Sequence, residues 1–99
     1  TEVHSLRRGA AEALEAVAHG DRKSSKVVGR RIDELPLPQG AQIGAIVRTI
    51  HDAEVYRKVI IPHHDTVIES DDHVILFVPR KRMVREIEKL FQVGATFLF

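Results

Sequence analysis

The sequence predicts an α+β domain: an antiparallel or mixed β-sheet flanked by helices, in the order helix-strand-helix-strand-strand-strand-helix. Three observations lead to this prediction. Apolar runs of strand length are separated by clusters of turn-forming residues. A segment near the end has helical periodicity, and no repeat or flexible linker divides the chain. With 99 residues, the chain has the size of one domain with a single core, spanning residues 1–99.

The first two predicted elements differ in how well the residues define them. Ala10 to Ala18 contains strong helix formers, yet every second residue from Leu14 onward is apolar or small, as in a strand. Periodicity alone leaves both readings open. Lys26 to Leu35 carries a broken apolar stripe and is predicted to be a short helix that Pro36 ends.

The second half of the chain contains three predicted strands and a helix. The strands are Ala41 to Arg48, Val55 to Ile61 and His73 to Pro79, all rich in apolar and β-branched residues. The last strand has five consecutive apolar residues, which is typical of a strand covered on both faces and predicts that Phe77 lies in the core. Arg80 to Gln92 has apolar residues at helical spacing between charged ones, so it is predicted to be an amphipathic helix.

Composition excludes several classes of function. The 15 basic and 14 acidic residues give a net charge of +1, so no overall field would attract nucleic acid or an anionic membrane. Without cysteine the chain has no disulfide or thiolate nucleophile, which fits a reducing, cytoplasmic compartment. The longest apolar run is far below the ~20 residues of a membrane span. Because the chain opens on Thr1, we expect it to be a piece of a longer protein.

The histidines are the main candidates for a metal site. His63, His64 and His73 offer imidazole ligands, but no motif fixes two of them on one helical face. Adjacent His63 and His64 would point to opposite sides of an extended chain. No serine lies in a nucleophile elbow. We therefore expect no metal, no catalytic residue and no enzymatic activity.

Basic residues concentrate in two segments. Arg22 to Arg31 and Arg80 to Lys89 together hold ten of the fifteen. Cations at the start of the predicted helix, from Arg80 to Arg82, oppose the helix macrodipole. We interpret them as a solvated face, with contact to an anion or a partner as the alternative.

An apolar surplus in the middle of the chain favours self-association. The residues concerned are Ile32, Leu35, Leu37 and Ile43. They exceed what one short helix and turn need for their own packing, so they predict the interface of a two-fold dimer. Their placement in an ordinary core is equally compatible with the sequence.

An ordered set of sequence blocks resembles the TrkA-C, or RCK-C, domain family over nearly the whole chain. The blocks are His4 to Ala13, Glu15 to Asp21, Val27 to Arg30, Ile43 to Arg48, Asp65 to Glu69 and Asp72 to Ile75. The resemblance implies an antiparallel sheet, a connecting helix in residues 1–12, a strand near Leu14 to Gly20 and an apolar tail in residues 93–99. One departure is Asp71, which occupies a glycine position of the family's turn.

The resemblance also implies a role. Domains of this family are regulatory and dimerisation domains of cytoplasmic subunits that control potassium uptake through a Trk-type membrane transporter, at the inner face of the membrane. An upstream Rossmann-like domain would bind NAD(H) or an adenine nucleotide, whereas the glycines of this chain form no GxGxxG turn, so we expect no cofactor here. The alternative is a stand-alone sensor that binds a nucleotide or cyclic dinucleotide between two copies. Pro36 to Pro38 lacks the arginine that would hold a cyclic dinucleotide's phosphate.

Overall fold

The structure, a computed structural model, describes residues 12–98. Its strands are β1 (Glu12–Ala18), β2 (Gln42–His51), β3 (Val55–Ile60), β4 (Asp72–Val78) and β5 (Thr96–Phe97). The helix α1 (Val84–Phe91) directly follows a short 3-10 helix (Lys81–Met83). A second 3-10 helix covers Ile32–Glu34. No helix in this described range is long and apolar enough to cross a membrane.

The five strands form one antiparallel sheet in the order β3-β2-β4-β1-β5. The central strand β4 pairs along its whole length with β1, from Glu12 opposite Val78 to Ala18 opposite Asp72. On its other side β4 pairs with β2, where the register shifts between Ile43 and Ala45. Of the two arrangements that the sequence left open, antiparallel or mixed, the sheet is antiparallel.

The core lies between one face of the sheet and α1. Alternate residues of β4 are buried, as expected for a strand with one covered face. The buried side of α1 contributes Val84, Ile87, Leu90 and Phe91 to the same cluster of apolar side chains. Burying a large apolar side chain stabilises a fold by roughly 1.5 to 3 kcal/mol, so this contact holds the helix to the sheet.

The predicted helix from Lys26 to Leu35 is wrong. Bends and turns occupy residues 26–29, and only Ile32–Glu34 is helical, with 3-10 geometry. The buried Ser25 hydroxyl accepts hydrogen bonds from the N–H groups of Val27 and Val28, both at 3.0 Å. Such local bonds compete with helical ones.

Phe77 does not lie in the core as the sequence predicted. Its side chain is 47% exposed on the face of the sheet opposite α1, which we call the outer face. The ring of Phe77 covers Gly44 of β2, where a Cβ atom would have no room. The unbroken apolar run was misleading, because in this strand only every second side chain points to the helix.

The remaining elements agree with the sequence to within a few residues. The predicted amphipathic helix is confirmed as the 3-10 turn and α1, and the strand near Leu14 is confirmed as β1. The short strand β5, inside the predicted apolar tail, was not predicted. The predicted connecting helix falls outside the described residues, except that Glu12 already belongs to β1.

Asp71 adopts a left-handed backbone conformation in its turn, one that a glycine adopts easily. Asp71 has a φ of 67°, in the left-handed region that aspartate tolerates better than most residues. Its N–H donates a hydrogen bond of 2.6 Å to the carbonyl oxygen of Ala18. This bond attaches the turn before β4 to the end of β1.

Candidate functional site

The largest group of exposed apolar side chains lies on and directly after β3. Of the eight large apolar side chains exposed in residues 12–98, four belong to this segment, and three of the four are more than 60% exposed. We call these four residues the apolar strip: Val55, Tyr56, Val59 and Ile61. Side chains alternate across a strand, so Val55 and Val59 lie on one face of β3 and Tyr56 on the other. The strip therefore borders the sheet edge on both faces, which makes this edge the candidate interaction surface.

The position of β3 in the sheet adds a second feature of an interaction surface. β3 is an edge strand, so its outward N–H and C=O groups face no neighbouring strand of the described sheet. The hairpin also extends past the rest of the sheet. β2 last pairs with β4 at Val47, whereas its pairing with β3 continues to His51 opposite Val55. A two-stranded ribbon is only marginally stable alone, so a partner would stabilise this end of the hairpin.

A buried ion pair braces the sheet beside the hairpin. The Arg48 guanidinium of β2 donates two hydrogen bonds of 2.9 Å to the carboxylate of Asp72, at the start of β4. The same guanidinium donates to the carbonyl oxygen of Val67 at 2.9 Å and contacts the Glu69 carboxylate at 2.9 Å. The Asp72 carboxylate also accepts the N–H of Glu69. Arg48 thereby joins two strands and the loop between β3 and β4.

Burial and charge make the loss of either partner of this pair costly. The Asp72 side chain is fully buried, and 17% of the Arg48 side chain is exposed. The hydrogen bonds to Asp72, more than any other contact, raise the pKa of Arg48, so the guanidinium stays charged. Sequence reasoning missed the pair. The sequence offers only two signals of it. Arg48 is a basic residue within an apolar, β-branched run, and Asp72 directly precedes another such run.

The four residues predicted to form a dimer interface are packed against the core. Leu35 is buried, and Ile32, Leu37 and Ile43 are partly buried against the same apolar cluster. The Ile32 segment also pairs with the loop after β3, where the N–H of Ile32 donates to the carbonyl oxygen of Thr66 at 2.9 Å. Ile32 therefore borders the loop that begins at the apolar strip. The role of the four residues in an interface stays a prediction.

The three histidines considered as metal ligands have separate surroundings. His63 and His64 are exposed in the loop after β3. His73 lies in β4 on the outer face, where its Nδ1 is 3.1 Å from Oε1 of Glu15. Between residues 12 and 98, no three histidine, aspartate or glutamate side chains are grouped as a metal ion would need. The absence of a metal in this chain stays a prediction.

Comparison with known proteins links the whole described fold to one family. The TrkA-C domain family matches residues 22–92. The chain is 61% identical over 95 residues to the Trk system potassium uptake protein TrkA of Halomonas elongata, covering 96% of this chain and 19% of that protein. Proteins of the same name from Vibrio alginolyticus and Haemophilus influenzae are 55% and 46% identical over 96 residues, covering 97% of this chain and 19% of each relative. The chain thus spans about a fifth of the length of the curated relatives it matches.

Proposed function

The chain belongs to the TrkA-C domain family, and we propose that it is a regulatory and dimerisation module of a TrkA-type protein that controls potassium uptake. The module would act on a Trk-type membrane transporter from the cytoplasmic side, without inserting into the membrane. Its role would be regulatory, with no catalysis of its own. The observation that carries the interaction role is the apolar strip on the open edge of the sheet.

Regulation by such a module requires two arrangements of a dimer that differ in free energy. A ligand shifts the population between them only if it binds one more tightly than the other. We propose that NAD(H) or an adenine nucleotide binds a Rossmann-like domain elsewhere in the full protein. The paired copies of this module would then pass the resulting change to the transporter. The bracing of two strands and a loop by Arg48 would let the module move as one body.

A segment exchange in the Halomonas elongata relative tests the regulatory role. The matching segment of that TrkA is either replaced by this chain or deleted, and each protein is expressed in a bacterium without its own TrkA. We expect the exchanged protein to restore potassium uptake and the deleted one to reduce it severalfold, because the module would be needed for coupling. Uptake is measured with rubidium as tracer. Full uptake by the deleted protein at equal expression would contradict the proposal.

Sedimentation of the 99-residue chain tests self-association. We expect a dimer, and we expect monomers for Ile61→Asp and Leu37→Asp. A two-fold axis would bring each introduced charge close to its copy in a desolvated interface. The matched control is Leu98→Asp, which adds the same charge at an exposed apolar residue away from β3 and should stay dimeric.

Thermal melting of each variant separates loss of the dimer from loss of the fold. Ile61 is exposed, so its variant should melt like the wild type once dilution has removed the dimer. Leu37 is partly buried against the core, so a much lower melting temperature there would assign it to the core instead. A wild-type monomer at millimolar concentration would overturn the dimer altogether.

A further inference from the structure

Three basic side chains at the start of the helical segment surround one concavity. Lys81, Arg82 and Arg85 line an open cavity of about 550 Å³. The spacings of three and four residues from Arg85 place all three side chains on one side of the helical turn. The cavity opens widely to solvent, so an anion bound there would stay partly hydrated. The sequence interpretation of a merely solvated face does not account for this convergence.

No carboxylate in residues 12–98 lies within ion-pair distance of this basic group. The ion pairs found in residues 12–98 involve other residues throughout. The two acidic residues of α1 form no ion pair with the cations, and the Glu88 carboxylate instead accepts the N–H of Ala95 at 2.8 Å. The N-terminal end of a helix also carries partial positive charge. The cavity is therefore lined by three cations that have no ion-pair partner among the described residues.

The other basic cluster of the chain has a structural use that this one lacks. Arg22 donates to the carbonyl oxygen of Gly29, Arg30 donates to backbone carbonyls of the same loop, and Arg31 pairs with Asp33. With Arg48 bound to Asp72, four arginines have internal partners. Four described arginine side chains have no hydrogen-bond or ion-pair partner in residues 12–98. Three of them lie close together in the sequence, and the fourth lies in β3: Arg80, Arg82, Arg85 and Arg57.

The packing of the helix does not need these charges. Lys81, Arg82 and Arg85 are exposed, and the neighbouring Val84 and Ile87 provide the contact with the core. Cations at the N-terminal end of a helix are destabilising by themselves. The three cations line one cavity, have no ion-pair partner among the described residues and lie at the unfavourable end of a helix. Together these observations indicate that an anion binds there.

We propose that Lys81, Arg82 and Arg85 bind a phosphate-bearing anion with two or more negative charges. Guanidinium groups donate paired hydrogen bonds to phosphate oxygens, and a lysine ammonium adds a compact charge. A soluble polyphosphate and the phosphomonoester head group of an anionic lipid share this chemistry. The inference is independent of the dimer and of the regulatory role proposed above.

Titration with tripolyphosphate and with vesicles tests this site and distinguishes the two sources. The first probe is followed by calorimetry at low ionic strength. The second is co-sedimentation with phosphatidylcholine vesicles that contain phosphatidic acid, compared with phosphatidylcholine alone. We expect the wild type to bind at least one probe. The triple variant Lys81→Gln/Arg82→Gln/Arg85→Gln should bind at least about tenfold more weakly, because it loses every charge-assisted hydrogen bond of the site.

A second triple variant controls for net charge. Lys23→Gln/Lys26→Gln/Lys58→Gln removes three exposed cations elsewhere. Its affinity for the probe should stay within about twofold of the wild type when both are compared in added salt, which screens non-specific charge attraction. The site variant should melt at or slightly above the wild-type temperature, because it relieves the helix dipole. Binding of tripolyphosphate assigns a soluble ligand, and binding of phosphatidic acid alone assigns a lipid. Failure of both probes, or equal weakening in the two triple variants, would overturn the proposal.

Discussion

Replacing Asp72 by alanine is expected to lower the free energy of unfolding by about 3 to 5 kcal/mol, the usual cost of removing one partner from a buried ion pair. The total stability of a domain is only ~5 to 15 kcal/mol, so the variant would be close to unfolding. The loss has a specific origin. The guanidinium of Arg48 would lose both hydrogen bonds to the carboxylate while remaining largely buried, and the N–H of Glu69 would lose its acceptor.

Chemical denaturation of three variants separates this effect from an ordinary surface change. Asp33→Ala is the matched control, because Asp33 also pairs with an arginine but at the exposed surface, and its loss should be small. Arg48→Met added to Asp72→Ala should recover part of the stability, because it removes the charge that was left without a partner. The idea of a buried brace is wrong if Asp72→Ala and Asp33→Ala shift the denaturation midpoint equally.

The second large effect is expected at Phe91, and the contrast with Phe77 makes it informative. Phe91 is 2% exposed between α1 and the sheet, so Phe91→Ala should cost about 3 to 5 kcal/mol through lost contacts and a new cavity. Phe77→Ala removes the same atoms from a half-exposed site and should cost about 1 kcal/mol, roughly half of full burial.

Thermal and denaturant unfolding of the two phenylalanine variants should be measured under dilute conditions, so that any partner on the outer face is absent. The pair is its own control, since residue type and atoms removed are identical. Equal destabilisation would show that Phe77 is packed as tightly as Phe91 within the isolated chain, and would contradict the exposed outer face. A larger loss at Phe77 than at Phe91 would contradict the assignment of the core to the α1 side of the sheet.

The strands and the main helix were predictable from the sequence because their signals are local. The runs at Val55 and His73 are β-branched or apolar and end near a proline, and the period of the segment after Arg80 is clearly helical. The prediction of a helix from Lys26 to Leu35 was wrong, also for a local reason. The side chain of Ser25 and the positive φ of Gly29 favour turns that an apolar stripe does not reveal.

The candidate site was much less predictable, because topology creates it. Val55 and Val59 read as ordinary strand residues, and only the strand order makes β3 an edge. Arg48 and Asp72 are 24 residues apart, and their pairing depends on β2 lying beside β4. The basic group at Lys81 was visible in the sequence as a charge cluster. That its side chains line one cavity could be seen only from the geometry of the helical turn.

The strand order has a consequence for how this chain acquires its fold. Residues of β1 pair with residues of β4 that follow 54 to 66 positions later, and β4 is central to the sheet. Closing so long a loop costs chain entropy before any pairing compensates it, so contact order predicts slow folding compared with helical domains of similar size. During synthesis β1 leaves the ribosome early and stays unpaired until β4 has followed. Over that interval the hairpin of β2 and β3 is the only part of the described sheet that can form. Its strand β2 then pairs with β4, whereas β3 remains the edge of the sheet.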